Sequence, residues 1–224
     1  MAKTELNEQR RELHTHDAQL RVSATQEGGE SGRGIEGYAI RFGSPSLPLY
    51  DDGVETIREV IEREAVTQEL LDRSDIKFTL FHDNHLLLAR SKNGQGTLTY
   101  ELREDGVWFR FEAPRTADGD KAVELVRSGV IDGCSFAFTT RYRDAAHVQV
   151  VTEERDGKRE TICHVRKITG LYDMTLTPDP AYPTTSVENR DLRSLISPPE
   201  EEDSLDEEAQ RQISEMRREA LKSL

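Results

Sequence analysis

A mainly β fold with flanking helices is predicted for this chain by three observations. Between Ile35 and Thr177 most apolar residues fall in short alternating runs, Gly, Pro and Asp-Gly pairs punctuate those runs, and only two stretches show helical spacing instead. A length of 224 residues suits one domain with its own core plus tails. The hydrophobic fraction is 35% and the charged fraction 33%, which fits a compact middle diluted by polar ends.

The elements follow in chain order. Residues 1–34 mix Glu, Gln, Arg and His and end in the run Glu27-Gly28-Gly29-Glu30-Ser31-Gly32-Arg33-Gly34, so they are expected to form a flexible N-terminal arm. Gly37 to Phe42 reads as the first strand, followed by a Ser/Pro loop at Gly43 to Pro48 and a second strand at Thr56 to Ile61. Ala65, Val66, Leu70 and Leu71 have the spacing of a short helix over Ala65 to Arg73. Ile76 to Phe81 is rich in β-formers and leads into His82-Asp83-Asn84-His85, which places those polar residues at a strand end. Thr97 to Leu102 and Val107 to Glu112 form a predicted hairpin around Asp105-Gly106. Asp118 is the expected cap of a helix over Gly119 to Ser128, with Gly129 as its stop. Val130 to Tyr142 reads as a long strand interrupted near Gly133, and Val148 to Thr152, Thr161 to Ile168 and Gly170 to Thr177 as three more.

These runs define a β domain over residues 35–192. Residues 193–224 change character: an acidic linker around Pro198, Pro199 and Glu200 to Asp203 precedes Ala209, Ile213, Met216, Ala220 and Leu224, whose steps of three and four make one apolar stripe on a charged helix. Such a stripe suits either a solvated helix or one that docks on another subunit.

Charge and cysteine content narrow the function. A net charge of −13 with no segregated basic patch disfavours nucleic acid as a partner. No apolar run is long enough for a signal peptide or a membrane span. The two cysteines, Cys134 and Cys163, are too few for a disulfide framework and have no metal-binding spacing, which fits a reducing compartment.

A serine hydroxyl needs a base to take its proton, and that base needs a third group to hold its tautomer. Ser135 follows Gly133 and Cys134 in a strand where Cys134, Phe136 and Phe138 face one way and Ser135 and Ala137 the other, with small neighbours that leave the hydroxyl accessible. A strand serine is ordinarily just a polar-face residue. His82 ends an apolar strand and can project toward a cleft with a ring suited to proton transfer. For the orienting group Asp173 is preferred, because aspartate is disfavoured inside a strand such as Leu171 to Leu176, although a structural ion pair would also explain it. His164 is the alternative orienter, although a hydrogen-bonded sheet histidine is the favoured reading of it. Cys134 as a rival nucleophile is disfavoured by its alternation with Phe136 and Phe138, which marks a buried thiol. His82 and His85 could pair on a metal, but two ligands are too few, and neither a metal nor a cofactor is expected.

Taken together, Glu36-Gly37-Tyr38-Ala39, Leu80-Phe81-His82-Asp83-Asn84, Gly129 to Phe138, and Asp173 to Leu176 with Pro180-Ala181-Tyr182-Pro183 and Arg190 form an ordered series that resembles the prohead maturation proteases of tailed phages. The resemblance runs over about residues 35 to 190. It implies an assemblin-like β-barrel of mostly antiparallel strands, with His82 as base, Ser135 as nucleophile and Asp173 as third member. Two departures stand out: Arg63-Glu64-Ala65-Val66 replaces a Pro-Gly-Ala-Phe-like turn, which predicts a helical turn there, and aspartate stands where glutamate is common.

The resemblance also implies a serine endopeptidase acting in the host cytoplasm, inside the assembling prohead. Its substrates would be the major capsid protein with its scaffolding segment, other internal prohead proteins and, by autoproteolysis, itself. Arg141 or Arg143 could assist backbone amides at the oxyanion. Homo-oligomerisation is left open. The rival readings are a non-catalytic β-barrel module that assists prohead assembly, and a metal hydrolase.

Overall fold

The computed structural model describes residues 8–15, 17–23, 32–155 and 157–178. The described elements begin with β1 (Glu8–Thr15), β2 (Arg21–Ser23), β3 (Gly34–Arg41), β4 (Tyr50–Asp51) and β5 (Glu55–Ile61). Then come α1 (Gln68–Arg73), β6 (Asp75–Leu80), β7 (Asp83–Lys92), β8 (Gln95–Gly96), β9 (Thr99–Leu102) and β10 (Gly106–Glu112). It continues with α2 (Ala117–Arg127), β11 (Gly133–Arg141), β12 (Val148–Arg155), β13 (Lys158–Val165) and β14 (Gly170–Thr177). The fold is mainly β, as predicted.

The strands form three sheets, ordered β1-β11-β14-β6-β7-β8, β2-β3-β10-β9 and β12-β13-β5-β4. Their ladders are mostly antiparallel; β13 with β5 and β14 with β6 are parallel. Among the described residues no pairing closes a barrel. That corrects the closed β-barrel implied by the resemblance, and the reason is visible at the edges. β2, β4 and β8 are only two or three residues long and offer too few ladder groups to join edge to edge.

The predicted flexible arm is also corrected in part, since residues 8–15 and 21–23 are strands. β1 pairs along its whole length with β11, from Glu8 opposite Arg141 to Thr15 opposite Cys134. Arg11, Leu13 and Thr15 alternate into the interior, and the Thr15 hydroxyl donates to the Ala39 carbonyl at 2.5 Å. Residues 1–7, 16 and 24–31 of the arm, residues 179–192 of the β domain with the block from Pro180 to Arg190, and the linker and helix over 193–224 lie outside the described residues.

The core is aromatic where the first two sheets meet. Phe78 on β6 packs on Phe109 and Phe111 of β10 at ring centroid distances of 4.4 and 4.7 Å. Such contacts stabilise beyond the area they bury. On β11, Cys134, Phe136 and Phe138 are buried together as the alternation predicts. Burial pushes the thiols of Cys134 and Cys163 far up, so neither is a ready nucleophile.

Local chemistry sets the helices. α2 starts two residues earlier than read from sequence, because Thr116 and not Asp118 accepts the orphan N–H of Gly119, at 3.2 Å. Gly129, with φ of +70°, ends it as expected. The predicted helix over Ala65 to Arg73 divides into a 3-10 turn at Arg63–Ala65 and α1, capped by Thr67. Among the described residues no helix is long and apolar enough to cross a membrane.

Candidate active site

Three adjacent strands of the largest sheet carry the candidate residues. β11 presents Ser135, β14 presents Asp173 and Thr175, and β6 leads into His82. Ser135 lies opposite Thr175 and Ala137 opposite Asp173, so the two-residue period puts Ser135, Asp173 and Thr175 on one face.

His82 reaches that face through a strained turn. β6 and β7 are joined by only Phe81 and His82, with Leu80 paired to Asp83, and both turn residues have φ of 57°. Two-residue hairpins need positive φ, which Asn-Gly supplies cheaply; here a Phe and a His adopt it at a cost of about 1–3 kcal/mol each. The sequence reading ended a strand at Phe81 but missed the hairpin. The turn is held by the Phe81 N–H on the Leu176 carbonyl at 3.1 Å and by the His82 N–H on Thr175 Oγ1 at 3.0 Å. Thr175, fully buried, also donates to the Thr79 carbonyl at 3.0 Å and lies 3.0 Å from Thr79 Oγ1. Its hydroxyl is thereby saturated.

The imidazole of His82 bridges the other two side chains. Nε2 lies 2.8 Å from Ser135 Oγ, while Nδ1 lies 3.1 and 3.2 Å from the two carboxylate oxygens of Asp173. An ionised carboxylate only accepts, so Nδ1 carries the hydrogen and Nε2 accepts the Ser135 O–H. Ser135 is 5% exposed and Asp173 5%, whereas the His82 side chain is 24% exposed, so the ring forms the open side of the site. Ser135 is less accessible than its small neighbours suggest, because β1 lies beside it with His14 directly opposite. This arrangement can move a proton from a hydroxyl to a ring nitrogen while an anion steadies the resulting cation.

The model of the caudovirus prohead serine protease family matches residues 18–196. This chain belongs to that family. Comparison with curated proteins finds no match. Among solved structures the bacteriophage T4 capsid assembly protease is similar at 14% identity and a TM-score of 0.43, over 76% of this chain and 99% of that one.

The other candidates in this prohead protease lie elsewhere. His164 is on β13 in a different sheet, with Nδ1 2.6 Å from Glu62 Oε1, so it does not orient His82. His85 is an exposed residue of β7. Both ring nitrogens of His82 are taken up by Asp173 and Ser135, and among the described residues no group of three or more His, Cys, Asp or Glu is arranged to hold a metal. Arg141 ends β11 six residues from Ser135, about 20 Å of extended strand, too far to assist at an oxyanion formed beside Ser135 Oγ. Thr175 escaped the sequence reading, although its place two residues after Asp173 in a strand is the signal that puts it on the same face.

Proposed function

We propose that this prohead protease is a serine endopeptidase in which Ser135 is the nucleophile, His82 the general base and Asp173 the orienting acid. The observation that carries this reading is the 2.8 Å contact between His82 Nε2 and Ser135 Oγ, with Asp173 on the opposite ring nitrogen. As Ser135 Oγ bonds to the peptide carbonyl carbon, its proton passes to Nε2 and the carbonyl oxygen becomes an anion. Asp173 compensates the imidazolium. Nε2 then gives the proton to the departing amine as the C–N bond breaks, and water, deprotonated by the same nitrogen, releases the acyl group.

Membership of the family supports action on capsid proteins during assembly. The substrates in this proposal are the scaffolding segment of the major capsid protein, other internal prohead proteins and the enzyme's own tails, cut inside the assembling prohead in the host cytoplasm. Residues 1–7 and 193–224 supply polar segments suited to self-cleavage. The test is co-expression with the major capsid protein: wild-type enzyme shortens it and Ser135→Ala does not. Continued processing by Ser135→Ala rejects Ser135 as nucleophile; no processing by wild-type enzyme favours a non-catalytic assembly module.

A further inference from the structure

We propose that Glu12, on the N-terminal strand, is a positioning residue of the active site, a second carboxylate that favours the protonated form of His82 from the edge opposite Asp173. The inference rests on the reading of Ser135 and His82 given above and concerns a segment outside the ordered motifs that suggested it.

The placement follows from register. In the β1–β11 ladder Glu12 lies opposite Ala137 and His14 opposite Ser135, so Glu12 and His14 share the face of Ser135 and Asp173. The alternate residues Arg11, Leu13 and Thr15 are buried on the other side and pin the strand. Gly133 gives the His14 ring its room, since a Cβ there would collide with that imidazole. Glu12 Oε2 stands 3.9 Å from His82 Nε2, the nitrogen that receives the Ser135 proton. Asp173 flanks the same ring at Nδ1, 3.1 Å away.

Among the described residues, these charged and titratable groups lie around His82. Asp173 comes from β14 and Glu12 and His14 from β1. Lys77 of β6 is cross-strand to Asp173 and turns its Nζ to Asn84 Oδ1 at 3.3 Å. Asp83 and His85 follow on β7, and Lys121 of α2 lies over the Phe81 ring at 5.5 Å. Of these, Glu12 is the anion beside Nε2. A carboxylate near an imidazole favours the imidazolium, so Glu12 raises the pH at which the base becomes active and steadies the cation formed during attack. Its side chain is 49% exposed, so solvent screens the interaction and a shift of about half a pH unit is expected.

The experiment is the pH dependence of Ser135 inactivation by a phosphonofluoridate, a readout independent of peptide specificity, in full-length enzyme and in Glu12→Gln. Gln keeps the shape at a half-exposed site, and matching thermal midpoints confirm folding. The midpoint of the acid limb falls by about half a unit in Glu12→Gln if the inference holds. A midpoint unchanged within about 0.1 unit, or raised, overturns it, including when the plateau rate falls uniformly as a purely structural role would cause. If wild-type enzyme is not modified at Ser135 at all, the reading of the site fails; if it is modified and only the midpoint stays put, the role of Glu12 alone fails.

Discussion

Replacing Asp173 by Asn keeps the size and burial of the side chain but removes the charge that faces His82 Nδ1 at 3.1 and 3.2 Å. Two effects follow. An amide can turn its NH₂ toward Nδ1, which favours the tautomer with hydrogen on Nε2, the wrong one for accepting the Ser135 proton. The imidazolium formed during attack also loses its counter-charge. For unit charges about 4 Å apart at an effective dielectric near 20, the interaction is about 4 kcal/mol, or roughly 10³-fold in rate. The His82 side chain is 24% exposed, which argues for the lower part of the range, about 10²- to 10³-fold. The assay is kcat/KM on a capsid-protein peptide, alongside thermal denaturation to show that Asp173→Asn folds. His164→Ala is the matched control, because its partner is Glu62 on another sheet, and it should retain activity within about threefold. An Asp173→Asn enzyme within about threefold of wild type would refute the reasoning, as would His164→Ala being the more damaging change.

Thr175→Val should take the acceptor from the part-buried His82 N–H and from the fully buried Thr79 hydroxyl. The expected cost is about 1–3 kcal/mol in urea denaturation, with slower phosphonofluoridate labelling and substantial rescue by Thr175→Ser. Glu59 tests the anchoring of β1. Burial pushes its carboxyl above the usual value of 4.5, opposed in part by Arg11, 3.9 Å away, and by the Tyr142 hydroxyl. A carboxyl whose folded pKa is raised contributes stability that is fully present below the unfolded pKa and is lost as pH rises through the folded value. Relative to wild type, Glu59→Gln should therefore gain stability as pH climbs through that window; a relative loss would mean that Arg11 outweighs burial.

Which parts of this were legible beforehand has a physical pattern. β6, β11 and β14 are runs of β-branched and aromatic residues, and their alternation correctly separated Phe136 and Phe138 from Ser135. Asp173 stands out in the sequence because a charge inside such a run demands a partner, and His82 Nδ1 lies 3.1 Å from it. β1 was hidden because Arg10-Arg11-Glu12-Leu13-His14 has a single apolar residue; the strand is held by pairing with β11, by Leu13 and by the placement of Arg11 near the buried Glu59. β7 was hidden because Leu86-Leu87-Leu88 breaks the two-residue period, and the ladder is irregular there, with Leu80 paired to Asp83 but Thr79 to Leu87. Barrel closure depends on how distant edges meet, which no local pattern encodes.

The central claim is that His82 activates the Ser135 hydroxyl, and peptide mapping after treatment with a phosphonofluoridate tests it most directly. The expected result is a single phosphonylated serine, Ser135, with labelling abolished in His82→Ala while chelators leave it intact. Labelling of a different serine, or undiminished labelling of Ser135 in His82→Ala, would contradict it.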